Sequence, residues 1–153
     1  MLSFSMQLTF TQQSDQAVRV LDNLRRALTD FTPALKKVEQ LQKDTIEKQF
    51  ANKGKETSSS WKPLAASTIK MRLQAGYSAG PILTASGRLR ASFETFKLTR
   101  DTLIIGSRIP YFQYHQMGTE KMAQRPILNI TQKLADEIGT EIQNYLINKA
   151  KNG

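Results

Sequence analysis

The sequence predicts an α+β fold, with helices packed on a small, mainly antiparallel β-sheet. Three observations carry the prediction. Apolar residues recur at helical spacing in the N-terminal third and again near the C-terminus. A run of β-branched residues flanks a polar turn in the middle of the chain. Short stretches rich in Gly, Pro and Ser separate these elements. A chain of 153 residues suits one domain, taken here as residues 1–153. Such a domain buries roughly 68–70% of its unfolded surface. The 39% hydrophobic content predicts a modest core under a polar surface.

The elements follow in order. Phe4, Met6, Leu8 and Phe10 alternate with polar residues, a period of two that predicts a half-buried first strand. Ser14 is placed to cap the helix after it, whose apolar stripe is Val18, Leu21, Leu24 and Leu28. Thr32-Pro33 marks a break and restart, with Thr32 as N-cap and Pro33 at the first helical position. Leu35, Val38, Leu41, Thr45, Ile46 and Phe50 continue at near-heptad spacing, so this second helix is expected to pack on the first or on a neighbouring subunit. Residues 52–60 (NKGKETSSS) hold no apolar side chain and read as a mobile loop. Ser67 is positioned to cap a short helix through Leu73, and residues 76–81 form a turn-rich loop. Another short helix is expected from Ser86.

The best hairpin candidate comes next, with Phe96 and Leu98 before the turn Thr99-Arg100-Asp101 and Leu103, Ile104 and Ile105 after it. Pro110 opens a helical turn through Tyr114, and Gly118 ends it. Arg125 to Leu128 should be extended, because the residue before a proline is pushed towards β geometry. Thr131 then caps a last helix with the stripe Leu134, Ile138, Ile142, Tyr145 and Leu146.

The net charge is +9, and residues 61–125 hold 10 of the 22 basic and 3 of the 13 acidic groups. That basic middle favours acidic partners, namely nucleic acid, a membrane surface or an acidic protein face, or serves simply as a solvated surface. With no cysteine there is no disulfide framework and no thiolate metal site. No stretch approaches the ~20 apolar residues of a membrane span, and Met1 to Phe10 lacks a basic segment before an apolar run, so neither a membrane protein nor a secretory signal is expected.

Chemistry finds little purchase. His115 is the only histidine, so a catalytic triad must use it, and no His/Cys cluster exists for a transition metal. Ser67-Thr-Ile-Lys70 matches Ser-x-x-Lys, but the partner motifs of serine acyl-enzymes do not occur. Asp136 and Glu137 sit where carboxylates favour a helix N-terminus, and adjacent helical positions point apart. No glycine pattern forms a phosphate loop. No catalytic residue, cofactor or small-molecule substrate is therefore assigned. Aromatic and basic residues interleave at Trp61-Lys62, Lys70, Arg72 and Tyr77, as in single-strand binding, but the motifs of the recognised nucleic-acid folds are missing and the lone tryptophan fits a core or interface anchor better.

The ordered set Trp61-x-Pro63-Leu64, Thr68, Arg72, Pro81-Ile82-Leu83, Ser86-Gly87-x-Leu89-x-x-Ser92, Ile105-Gly106-Ser107, Tyr111-x-x-x-His115-Gln116-x-Gly118-Thr119 and Arg125-Pro126-x-Leu128 resembles the phage virion morphogenesis, or tail-completion, family of Mu-like and P2-like phages and prophages. The resemblance covers roughly residues 60–146. This chain departs at Thr119, where the family often has a second glycine, and at Ile127 and Asn129, where it often has an aromatic and a glycine. The resemblance implies a structural role late in virion assembly, finishing the tail or its joint with the head. It also implies a homo-oligomeric ring, tail or head–tail connector proteins as partners, and a place in the bacterial host cytoplasm during assembly or in the virion. The basic segment would then face DNA in a tail lumen or an acidic partner ring. A nucleic-acid-binding accessory protein is the alternative, and a hydrolase built on Ser67 and Lys70 or on His115 is a third reading.

Among the motif residues, Gly118 is expected to end its helix in a left-handed conformation. Arg125, fixed by Pro126, would aim its charge at a carboxylate or a backbone carbonyl. Tyr111, Tyr114 and His115 would cluster against the hairpin.

Overall fold

The computed structural model describes residues 2–57 and 60–152, with side chains described over 15–56 and 60–152. Three long helices and one hairpin set the architecture: α1 Leu2–Thr29, α2 Thr32–Ala51, α3 Ala66–Gln74, β1 Phe93–Leu98, β2 Leu103–Ser107, α4 Phe112–Met117 and α5 Gln132–Asn152. Short 3₁₀ turns occupy Lys55–Thr57 and Arg90–Ser92. This is a mixed α+β fold with helices packed on a small antiparallel sheet.

The expected first strand is instead the start of α1. Phe4/Leu8 and Met6/Phe10 are i,i+4 pairs as well as alternating positions, and no Gly or Pro falls before Thr32 to stop a helix. Ser14 therefore lies inside α1 and not at a helix start. The α1–α2 break also shifts by a residue or two. Phe31 holds the N-cap position, and the Asp30 carboxylate accepts from the Thr32 amide at 2.9 Å. Thr32 is the first helical residue, with Pro33 beside it in the first turn.

Helix α5 returns to pack on α1 and α2. Ala27, Ala34, Val38 and Leu134 are buried in these helical contacts. The Tyr145 hydroxyl donates to the Asp30 carbonyl at 2.6 Å, and its ring meets Phe31 at 6.1 Å, so α5 clamps the α1–α2 corner. As expected, Thr131 caps α5: its hydroxyl oxygen accepts from the Leu134 amide at 3.2 Å.

The hairpin forms where the β-branched run predicts it and extends a few residues further at its open end. Phe93 pairs with Ser107 and Leu98 with Leu103, and Asp101 Oδ1 accepts from the hydroxyls of Thr99 and Thr102 across the turn. A bulge between Thr95 and Lys97 leaves Phe96 as the extra residue, which breaks the alternation and turns Phe96 and Lys97 both outward. The Phe96 ring lies over Gly106, where a Cβ would meet it at 3.0 Å, and the Arg108 guanidinium sits 5.5 Å from the ring centroid.

The core lies between the C-terminal half of α2, the hairpin and the irregular segments around Trp61, Ile82 and Ile127. Its buried members are Ile46, Phe50, Trp61, Ile82, Leu89 and Ile127. A chain of edge-to-face rings runs Trp61–Phe50–Phe93–Phe112, with centroids 5.7, 6.1 and 5.4 Å apart. The Thr95 hydroxyl donates to Glu39 at 2.6 Å and Arg90 pairs with Glu47, tying both ends of this region to α2.

Candidate functional site

The motif residues separate into a latch and a recess. The latch fixes residues 125–128, which form no regular element and must satisfy their backbone groups through side chains. Gln116, on α4, does most of this. Its Oε1 accepts from the amides of Ile127 (2.9 Å) and Leu128 (3.0 Å), and its Nε2 donates to the Leu128 carbonyl at 2.5 Å. The Pro126 carbonyl accepts from Trp61 Nε1 at 2.9 Å and from Gln49 Nε2 at 2.8 Å. Arg125 donates its amide to the His115 carbonyl at 2.7 Å. Its buried guanidinium donates to the Lys62 carbonyl at 3.2 and 3.0 Å and to the Pro63 carbonyl at 3.2 Å. Of the two targets expected for Arg125, the backbone carbonyl is the one it reaches.

Gly118 ends α4 as expected, but in a more restrictive conformation than the left-handed helical one. Its φ of 76° and ψ of 174° fall in a region that essentially only glycine occupies. A Cβ there would stand 3.0 Å from the Gln124 amide nitrogen, so the tight return from α4 to Arg125 needs glycine twice over. At the other side of the latch, Gly54 (φ 90°) lies against the Trp61 indole, where a Cβ would meet Cδ1 at 2.4 Å. The Trp61 amide donates to the Lys53 carbonyl at 2.8 Å. Residues 53–54 thus belong to the Trp61 packing, while Ser58 and Ser59 of the expected loop lie outside the described residues.

The recess gathers Arg72, Ser86, Tyr111 and His115, with Leu83 and Leu89 as apolar walls, in a volume of about 160 Å³. Arg72 Nη1 donates to the Pro81 carbonyl at 3.0 Å, which draws α3 onto the 81–89 loop. Tyr111 and His115 stack edge to face at 6.0 Å. Leu83 holds a φ of 62°, costly for a residue with a Cβ, and Gly87 a φ of 72°. The glycine's turn leads into a 3₁₀ turn at Arg90–Ser92, where a helix from Ser86 was expected. His115 Nδ1 is buried without a hydrogen-bond partner. Burial, and then the nearby Arg125 charge, hold the His115 pKa below its ordinary value. Burial and the Arg72 charge likewise push Arg125 down. Among the described residues no carboxylate lies within ion-pair distance of Arg72 or Arg125.

Other sequence expectations fall elsewhere. Phe112, not Tyr111, Tyr114 or His115, packs on the hairpin, through Phe93. Tyr111 and Tyr114 are exposed, and His115 turns to the recess. Trp61 is buried, so it offers no stacking platform to a nucleic acid base. Pro63 presents its carbonyl to Arg125, and Leu64 is half-buried against the core. Ser67 is exposed inside α3, whose N-cap position is Ala65, and Lys70 is exposed one turn on. Gln49 and Phe112 were not singled out from the sequence. Gln49 lies on the apolar face of α2, where spacing alone gives a glutamine no role, and Phe112 stands beside motif residues without being one.

A third feature is exposed apolar surface. Val18, Leu21 and Leu28 of the expected α1 core stripe are 63%, 66% and 59% exposed, while among the described side chains of that helix Ala27 is the buried one. On the hairpin, Phe96 and Ile104 are 44% and 45% exposed. No helix is long and apolar enough to cross a membrane, and no group of three metal-ligating side chains occurs, among the described residues.

The motif residues thus fasten loop backbone with side-chain hydrogen bonds, and apolar side chains of α1 and the hairpin face solvent. The chain belongs to the phage virion morphogenesis family, whose model matches residues 12–147. The match takes in most of α1 and all of α2, beyond the 60–146 span that the motif residues mark, and it indicates a role in phage virion assembly. No curated protein and no solved structure matches the chain.

Proposed function

We propose that this protein completes the phage tail or joins it to the head, as a homo-oligomeric ring working with tail or head–tail connector proteins in the host cytoplasm or the virion. The observation that carries the ring is the presence of two unlike apolar surfaces left open, the α1 stripe (Val18, Leu21, Leu28) and the hairpin pair (Phe96, Ile104). Contiguous exposed apolar surface marks interaction sites. A head-to-tail contact between two unlike faces generates a ring when its rotation closes. A two-stranded sheet is also marginal by itself and gains from a neighbour. Other tail proteins and, through the basic 61–125 segment, DNA in the tail lumen complete the partners in this reading.

The test is complementation of an inducible prophage lacking this gene with Leu21→Glu and Ile104→Glu variants. Both positions are exposed, so each variant should fold while the yield of infectious particles falls sharply. Full yield from both would overturn the ring. The basic segment supports a second reading, a nucleic-acid-binding accessory protein. Its mark would be duplex binding that weakens steeply as salt rises.

A further inference from the structure

We propose that the recess bounded by Arg72, Ser86, Tyr111 and His115 is a carboxylate-binding site that takes an acidic side chain of another virion protein. The inference rests on the assembly reading only for the source of that side chain; the chemistry rests on the recess.

Size comes first. At about 160 Å³ the recess is below the roughly 300–1,000 Å³ usual for small-molecule sites. That is room for one side chain. Its charge is positive and uncompensated. Arg72 lines the recess with His115, whose carbonyl accepts the Arg125 amide at 2.7 Å, and no carboxylate stands within ion-pair distance of either arginine among the described residues. Arginines held near each other in this way are ordinarily matched by an anion. Arg125 spends Nε and Nη2 on the Lys62 and Pro63 carbonyls, whereas Arg72 gives one bond to Pro81 and keeps its remaining donors. A guanidinium carries five N–H donors in a fork that fits a carboxylate.

The polar rim is unused as well. Among the described residues, neither the Ser86 nor the Tyr111 hydroxyl has a hydrogen-bond partner, and His115 Nδ1 is buried without one. The walls choose between anions. Leu83 and Leu89 suit the methylene stem of a glutamate or aspartate. Leu83 is moreover held at a positive φ to form this wall, and strain of that kind clusters at binding sites.

The test is an NMR titration of the full-length chain, following the His115 ring protons and the Arg72 Nε resonance. The probes are glutamate blocked as its N-acetyl methylamide, the blocked glutamine counterpart, inorganic phosphate and a short DNA duplex. One residue is a small ligand, so saturation is expected at roughly millimolar concentration. The expected result is a saturable shift with blocked glutamate, none with glutamine, and its loss in Arg72→Gln. Tyr111→Phe, which removes only a hydroxyl, should weaken the response and keeps the test valid if Arg72→Gln disturbs folding. Equal shifts from glutamine, or no saturable shift, would overturn the proposal. A stronger response to phosphate and duplex than to glutamate would overturn it in favour of nucleic acid. Because the isolated chain is titrated, a failed recess is distinguished from a failed assembly role, which is read from particles.

Discussion

Gln116 pairs with Leu128 as a neighbouring β-strand would: its side-chain amide donates to the Leu128 carbonyl at 2.5 Å and accepts from the Leu128 amide at 3.0 Å. One side chain thus satisfies a segment that belongs to no sheet. The consequence reaches the core, because the segment held this way carries Ile127, one of the largest fully buried side chains. The same segment presents the Pro126 carbonyl to Trp61 and Gln49.

Gln116→Ala should therefore cost more than a surface substitution. It leaves the Ile127 and Leu128 amides and the Leu128 carbonyl without partners, at about 1–3 kcal/mol for each group kept from water. A loss of at least about 2 kcal/mol is expected from a urea or guanidinium midpoint at unchanged slope. An unchanged midpoint would mean that water replaces the amide and that the latch does not hold the core.

Gly118→Ala should destabilise by more than the helix preference of alanine offsets. The backbone conformation is one that a Cβ disfavours by about 1–3 kcal/mol, and the added carbon meets backbone rather than a mobile side chain. A Gly76→Ala comparison separates the two effects: that glycine also has positive φ, but open space where its Cβ would be. Thermal unfolding should rank Gly118→Ala well below Gly76→Ala. Equal losses would show that backbone conformation alone matters at Gly118.

Stability should fall in mild acid through His115. Its pKa lies below the ordinary 6.5 because burial, then the Arg125 charge, disfavour the imidazolium. Between the lowered value and 6.5 the unfolded chain binds a proton that the folded chain does not, so stability is full above about 6.5 and lost as pH falls towards the folded value. His115 is the only histidine, so His115→Gln should remove this part of the dependence. Melting temperatures from pH 7.5 down to 5.5, on the scale where ordinary histidines titrate, should fall further for wild type than for the variant. Parallel curves would contradict the assignment.

Head-to-tail association predicts a result in mixtures. Leu21→Glu spoils the α1 stripe and leaves the hairpin; Ile104→Glu does the reverse. Each alone should be monomeric by light scattering. A mixture of both should form dimers, through the intact stripe of one and the intact hairpin of the other. Dimers of either variant alone would mean that each face meets its own kind, and a mixture that stays monomeric would mean that the two faces do not meet.

Much of the scaffold was legible because its signals are local. Thr131 caps α5, Pro33 falls in the first turn of α2, and Leu103 to Ile105 form a strand, each from chemistry within a turn or so of the chain. The errors are local ambiguities decided by context. Four alternating apolar residues at the N-terminus fit a helix as well as a strand. The N-cap oxygen expected of Thr32 is supplied by Asp30, and Gly87 at positive φ prevents the helix expected from Ser86. The bulge that turns Phe96 outward has no sequence signal, since Phe96 fits the alternation of a regular strand.

The site was half legible. Arg125, Gln116 and Gly118 stand out by the resemblance, but their partners at Lys62, Pro63 and Leu128 are backbone groups that any residue supplies. Gln49 is invisible for the opposite reason: a glutamine on a helix reads as solvent-facing until a distant carbonyl is brought to it.

The assembly role is tested most directly by deleting this gene from an inducible prophage and viewing the lysate by negative-stain electron microscopy. The account predicts filled heads lying apart from tails, or tails of aberrant length, with normal particles restored by the wild-type gene. Normal infectious particles from the deletion strain would contradict it.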